Sequence, residues 1–247
     1  EVLLKKGIPH YLFLSDKYPF EAQISFDFER LYTLVENKNR VSITPEWSIW
    51  NRRIFAPVFP NDFPKNLEEM VKEEAKQTIQ GMIVNHTGLV VNSPFKNHVA
   101  NNKMEQLQRA RRLGLTVPYT LLTNDPEEAV KFYKSRKGDI IFKMQKLPLV
   151  QEGEETKTIL TQRVSAEFFY ENLDRIRNAP CCFQERIEKA YEIRLTVIGD
   201  HYFPVAIHSQ DSEFSKDDFR RYDFENVRYE LVEIPKELTE KISELMK

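Results

Sequence analysis

Lys143 lies in the apolar run Asp139-Ile140-Ile141-Phe142-Lys143-Met144, where an ammonium carries a large desolvation cost unless an anion meets it. A phosphate would meet it; so would water, if the lysine sits on a strand edge and its head snorkels outward. Lys103 stands at the start of a helix, an end that attracts anions, although a solvated surface lysine is the plainer reading of that residue alone. Glu192 and Arg194 alternate on one strand face about 7 Å apart, two rises of ~3.4 Å. They suit either a ribose hydroxyl beside a phosphate or a cross-strand ion pair. Gln184-Glu185-Arg186-Ile187 is either a connector or a segment whose backbone amide and carbonyl groups face an adenine edge. In Asp217-Asp218-Phe219-Arg220-Arg221 each guanidinium can bind a carboxylate or phosphate through two hydrogen bonds, or simply decorate the surface.

Other chemistries find little support. The 7 glycines in 247 residues stand alone, so there is neither a Walker P-loop nor a dinucleotide glycine turn, and a bound nucleotide must be held by side chains. His10, His86, His98, His201 and His208 show no metal-ligand spacing, and no Ser or Cys sits in a nucleophile motif, so no metal ligand is assigned. The only cysteines, Cys181 and Cys182, are adjacent and offer no disulfide framework, which points to a reducing cytoplasm. With 36 Lys and Arg against 38 Asp and Glu, the net charge of −2 argues against a general nucleic-acid binder. The basic run Arg109, Arg111, Arg112 reads as a solvated helix face. No uncharged apolar run approaches the roughly 18 residues that a membrane span needs.

The elements that must position these residues follow from periodicity. Tyr11 to Leu14 and the alternating Ile24, Phe26, Phe28 predict strands, as does Trp47 to Trp50; a Pro-rich loop then leads to a helix over about 66–80. Leu89-Val90-Val91 predicts a strand end, followed by loop up to Val99. Asn102 with Glu105 is a capping-box pattern for a helix closed by Gly114. Next come a strand over 116–122, a helix from Asp125-Pro126 to about Gly138, and a long hairpin over 140–164 with the acidic turn Glu152-Gly153-Glu154-Glu155. Ser165 caps a helix to about Asn178; Tyr191 to Ile198 and Tyr202 to Ser209 form a second hairpin around Gly199-Asp200. The order predicts an α+β fold in three parts: an N-terminal α/β domain over 1–95, a central subdomain over 96–179, and a C-terminal subdomain over 180–247. The chain opens inside a helix stopped by Gly7 and closes on a helix from Pro235 without a stop signal, so it reads as part of a longer protein, truncated at both ends.

In that order, Asn102-Lys103, Gly114 to Thr120, Phe142-Lys143, Gln184 to Ile187, Glu192-Ile193-Arg194 and Asp218-Phe219-Arg220-Arg221 resemble the ATP-grasp superfamily. Trp50-Asn51-Arg52-Arg53, Val91-Asn92-Ser93-Pro94, Leu122-Thr123-Asn124-Asp125-Pro126 and Ile207-His208-Ser209-Gln210 resemble, within it, the microviridin-type peptide maturases, or graspetide synthetases. The resemblance covers nearly the whole chain.

It implies an ATP-grasp fold with ATP between antiparallel sheets. Lys103 and Lys143 would neutralise the phosphates, the Gln184 to Ile187 segment would read adenine, Glu192 would hold ribose, and Arg194 and Arg220 would act on the transferred phosphoryl group and the substrate carboxylate. It further implies a ribosomal precursor peptide bound through a leader segment, activated at Asp or Glu and closed into rings by Thr or Ser as esters, or by Lys as amides. The hairpin from Gln145 to Arg163 and the helix from Ser165 to Asn178 are the leader-binding candidates. A RimK-like amino-acid ligase or a non-catalytic leader- or nucleotide-binding relative are the alternatives, and a homodimer is left open. The family's Mg²⁺ ligands, an Asp and a Glu-x-Asn segment, would lie beyond residue 247, so these residues alone are expected to bind ATP weakly.

Overall fold

The computed structural model describes residues 1–28, 31–36, 39–146, 149–152, 155–221 and 223–247. The chain is α+β with mainly antiparallel sheets, and it divides into two compact units, Glu1–Ala100 and Asn101–Lys247.

In the first unit, helix α1 (Val2–Lys5) ends as its sequence predicts: Gly7, at φ +63°, lets its own N–H reach Leu4 O and the Ile8 N–H reach Leu3 O. The expected strand over Tyr11 to Leu14 does not form. Tyr11 and Phe13 turn inward and pack on the core while Leu12 is exposed, so the alternation is real, but no strand among the described residues pairs with it. An antiparallel meander follows, β1 (Ala22–Asp27), β2 (Leu31–Glu36) and β3 (Asn39–Ile43), with Ile24 opposite Leu34 and Leu34 opposite Val41. β4 (Ile49–Trp50) runs parallel to β5 (Val90–Val91), with helix α2 (Glu68–Asn85) between them in sequence. Ala75, Ile79, Met82 and Ile83 recur at helical spacing on the buried face of α2, where Ile79, Met82 and Ile83 join Leu34 and Ile43 in one core. Asn51 donates through its backbone N–H to Val91 O at 2.6 Å and through its side chain to Asn92 O at 3.0 Å, which brings two of the segments quoted above together. The stretch up to Val99, read as loop from the sequence, lies largely in helix α3 (Pro94–Ala100); proline fits the first turn, where its missing N–H is no loss.

The second unit begins with α4 (Lys103–Arg112), capped by Asn102 Oδ1, which accepts from the Met104 and Glu105 N–H groups. Only half of the capping box is made, because the Glu105 carboxylate turns to Arg109. β6 (Thr120–Thr123) leads to α5 (Pro126–Ser135), whose N-cap Asp125 accepts from the Glu127 N–H at 2.8 Å; this accounts locally for the Thr-Asn-Asp-Pro segment. β7 (Ile140–Lys143), the outer pair β8 (Leu149–Glu152) and β9 (Glu155–Thr158), and β10 (Gln162–Arg163) build the expected long hairpin. Two residues of its acidic turn, Gly153 and Glu154, lie outside the described residues. The helix predicted from Ser165 forms only as α6 (Ala166–Glu171) and continues as a 3₁₀ turn over Leu173–Asn178.

β11 (Cys181–Glu185) inserts between β7 and β6, giving the order β10-β7-β11-β6. It thus hydrogen-bonds into the sheet of the central segment although it follows residue 180. Tyr133 stacks on Phe169 at 4.3 Å between ring centroids beneath this sheet, with Ile140, Val164, Ile176 and Phe183 around them. β12 (Glu192–Ile198), β13 (His201–Ile207) and β14 (Tyr229–Leu231) form a second antiparallel sheet, and the chain proceeds to α7 (Lys236–Leu245). Among the described residues no helix is long and apolar enough to cross a membrane.

Candidate active site

A cavity of about 850 Å³ opens within the second unit, and every site residue singled out from the sequence lines it: Lys103, Lys143, Gln184, Glu185, Arg186, Ile187, Glu192, Arg194 and Arg220. They arrive from α4, β7, the end of β11 and the segment after it, β12, and the loop after β13.

Lys143 is not on a strand edge, since β7 is flanked by β10 and β11. Its Nζ donates to Gln184 Oε1 at 2.7 Å. Burial pushes its pKa below the ordinary lysine value; Lys103 and Lys189 push the same way, against the opposing influence of Cys182 and Asp218. Gln184 is 6% exposed, and its Nε2 donates to Thr120 Oγ1 at 2.8 Å. The segment after it uses part of its backbone internally: the Glu185 N–H donates to Tyr119 O and the Arg186 N–H to Asp139 O. Ile187 N–H has no partner among the described residues, and Pro118, Ile141, Met144 and Phe219 supply apolar wall nearby.

Among the described residues no cross-strand ion pair joins Glu192 or Arg194 to a neighbouring strand. Glu192 Oε1 instead takes Lys189 Nζ and the Ser209 hydroxyl, the latter at 2.9 Å. Arg220 is held by the buried carboxylate of Asp218, which accepts from its Nε at 2.8 Å, from its Nη2, and from the Thr161 N–H at 2.9 Å. Burial raises the Asp218 pKa, but the hydrogen bonds from Arg220 and Thr161 outweigh it and hold the carboxyl well below the usual range. Lys189 and Thr161 were not signalled in the sequence, and Ser209 was quoted only within the Ile207 to Gln210 segment without a role, because each meets its partner through the fold. Asp218 was visible as the neighbour of Arg220.

Pairing divides the charges. Glu185 is matched by Arg136, Asp217 by Arg186, Glu192 by Lys189 and Asp218 by Arg220. Lys103, Lys143 and Arg194 have no carboxylate partner among the described residues, so the cavity holds a surplus of positive charge that suits a polyanion. These residues fit a nucleoside triphosphate. They do not fit a Mg²⁺ site: among the described residues no group of three or more His, Cys, Asp or Glu side chains could hold a metal, and the cavity carboxylates are already bound to cations.

Residues 1–97 match the MvdD pre-ATP grasp domain family. Among solved structures, the chain is similar to the macrocyclase MdnC bound with precursor peptide MdnA from Microcystis aeruginosa MRC, at 28% identity and a TM-score of 0.85, covering 99% of this chain and 76% of that one. A RiPP-associated ATP-grasp ligase from Chryseobacterium gregarium, in complex with ADP and a leader and core peptide, is 27% identical with a TM-score of 0.89, covering 99% and 74%. The macrocyclase MdnB from Microcystis aeruginosa MRC is 25% identical with a TM-score of 0.73, covering 98% and 75%. The sequence finds no match among curated proteins.

Proposed function

We propose that the chain, which is similar over nearly its whole length to graspetide-type ATP-grasp ligases, is itself an ATP-dependent ligase that closes rings between side chains of a ribosomal precursor peptide. One observation carries the reading: Lys103, Lys143 and Arg194, far apart in sequence, face a single cavity without carboxylate partners among the described residues. In this reading Lys103 and Lys143 neutralise the phosphates of ATP, Ile187 N–H reads the adenine edge, and the free Oε2 of Glu192 meets a ribose hydroxyl. ATP supplies the phosphoryl group that makes the peptide carboxylate reactive.

The carboxylate oxygen of a peptide Asp or Glu attacks the γ-phosphorus and ADP departs. A Thr or Ser hydroxyl, or a Lys amine, of the same peptide then attacks the acyl carbon, loses its proton, and phosphate leaves. The peptide is lighter by one water per ring. Arg194 and the Asp218-held Arg220 steady the charge that builds on the phosphoryl and carboxyl oxygens, so the work of the chain is positioning and charge neutralisation. Lining the nucleotide site from two antiparallel sheets also restricts water, which would hydrolyse the activated carboxyl.

The leader peptide is assigned to the hairpin of β7 to β10 and to α6. Phe169 is buried in the core, whereas Phe168 and Tyr170 on the same helix are 59% and 50% exposed and offer apolar surface for a peptide. Incubating the protein with ATP, Mg²⁺ and a precursor rich in Thr and acidic residues should lower the peptide mass by one water per ring. A gain of mass by free amino acids would indicate a RimK-like activity, and an unchanged mass across several authentic precursors would overturn ring closure.

A further inference from the structure

The bond from Lys143 Nζ to Gln184 Oε1 is one end of a relay. Gln184 Nε2 donates to Thr120 Oγ1 at 2.8 Å, and the Thr120 hydroxyl donates to Pro118 O at 2.9 Å. A carbonyl can only accept, so the Thr120 proton is committed to Pro118 and its oxygen can only accept from Gln184. The amide is therefore locked in one orientation. Turned over, it would set its NH₂ against an ammonium and its oxygen against a hydroxyl with no proton to give. The sheet register supports the arrangement: Gln184 lies opposite Thr120 on one side and Ile141 on the other, which puts Lys143 diagonally across on the same face.

An amide is an unusual choice of partner for a half-buried lysine, because a glutamate of the same length would reach as far and match the charge. The charged and titratable groups that face Lys143 are Cys182 from β11, Lys103 from α4, Lys189 from the segment before β12, and Asp218 from the loop after β13. Asp218 is already committed to Arg220, and both lysines are cations. Among the described residues, no carboxylate without a cation of its own faces Lys143.

We propose that Gln184 is a positioning residue: its locked amide aims the Lys143 ammonium into the cavity while leaving the full positive charge for the phosphates of a nucleoside triphosphate. This rests on the reading of the cavity as a triphosphate site and adds to it a reason for the amide. Gln184→Glu would hold the ammonium as firmly and spend its charge on the protein. Gln184→Leu would remove the aim and leave the charge. Thr120→Val would keep both partners and release the lock on the amide.

The test is ATP binding, with Mg²⁺ present, to the purified full-length protein by calorimetry from pH 7 to pH 10, with thermal unfolding of each variant as a check on folding. The parent should bind ATP and lose affinity at alkaline pH as Lys143 deprotonates. Gln184→Glu should bind about tenfold or more weakly at pH 7, the loss of one charge-assisted contact. Its alkaline loss should also begin at higher pH, because a carboxylate beside the ammonium holds the proton longer. A purely structural glutamine could weaken binding but would not move that limb. Gln184→Leu should weaken binding with the limb at or below its parental position, and Thr120→Val should weaken binding less than either, which keeps the test open if a change at 184 prevents folding. If the parent binds ATP and Gln184→Glu, or Thr120→Val where that variant cannot be folded, matches its affinity and pH profile, the positioning role falls and the triphosphate reading stands. If the folded parent binds neither ATP nor ADP, both fall.

Discussion

Replacing Asp218 by alanine tests whether the candidate site is a built structure or a chance gathering of side chains. Asp218 is 4% exposed and accepts hydrogen bonds from the Thr161 N–H and from the backbone and side chain of Arg220. Removing the carboxylate strands the Thr161 N–H, a loss of about 1–3 kcal/mol for a buried group without a partner. Arg220 has a side chain 40% exposed and turns to water, so its share is discounted to that of a surface pair, about 0.5–1 kcal/mol. The sum, about 1.5–4 kcal/mol, corresponds to a fall of about 3–16 °C in the midpoint of a unit of this size. The pH dependence has a definite sign. The Asp218 pKa is lowered in the folded state, so its stabilisation is fully present above the unfolded value of about 4 and is lost as pH falls below that toward the depressed folded value. Urea unfolding of parent and Asp218→Ala should therefore differ most at pH 7 and converge below pH 4. Equal stability at pH 7, or a gap that does not shrink in acid, would refute the account of this carboxylate.

Arg194→Ala should lower kcat more than it raises KM for ATP in the ring-closing assay, by about tenfold or more, if the guanidinium meets charge that develops during phosphoryl transfer; a pure KM effect would reassign it to ground-state binding. Phe169→Ala should destabilise the protein by about 3–5 kcal/mol, since it empties the stack on Tyr133, whereas Phe168→Ala should leave stability within about 0.5 kcal/mol and weaken leader-peptide binding in fluorescence titration. Gly138→Ala should cost at least about 1 kcal/mol in chemical unfolding, because a Cβ at φ +77° would also come within 2.8 Å of Tyr133 Oη.

Much of the site was legible because its residues violate the expectations of their own elements. A lysine between Phe142 and Met144, or Glu192 and Arg194 alternating with Ile193 and Leu195, stands out in any sequence, and each lines the cavity. The partners that hold those residues were hidden, because they come from distant segments: Asp218 meets Thr161 across 57 positions and Gln184 meets Thr120 across 64. Periodicity likewise found α2, α4 and α5, whose caps and apolar faces are local. It misread Tyr11 to Leu14, where an extended alternation has no partner to make it a strand, and residues 94–100, where a helix of a single apolar turn carries too few repeats to register.

The unmatched positive charge of Lys103, Lys143 and Arg194 reaches beyond chemistry. Like charges held close repel, so the second unit folds against a self-repulsion that a polyphosphate relieves. Its melting temperature should climb as pyrophosphate or ATP is added, in proportion to the logarithm of concentration once the site fills. If the cavity takes a triphosphate as proposed, the folded state is sturdiest where nucleotide is plentiful.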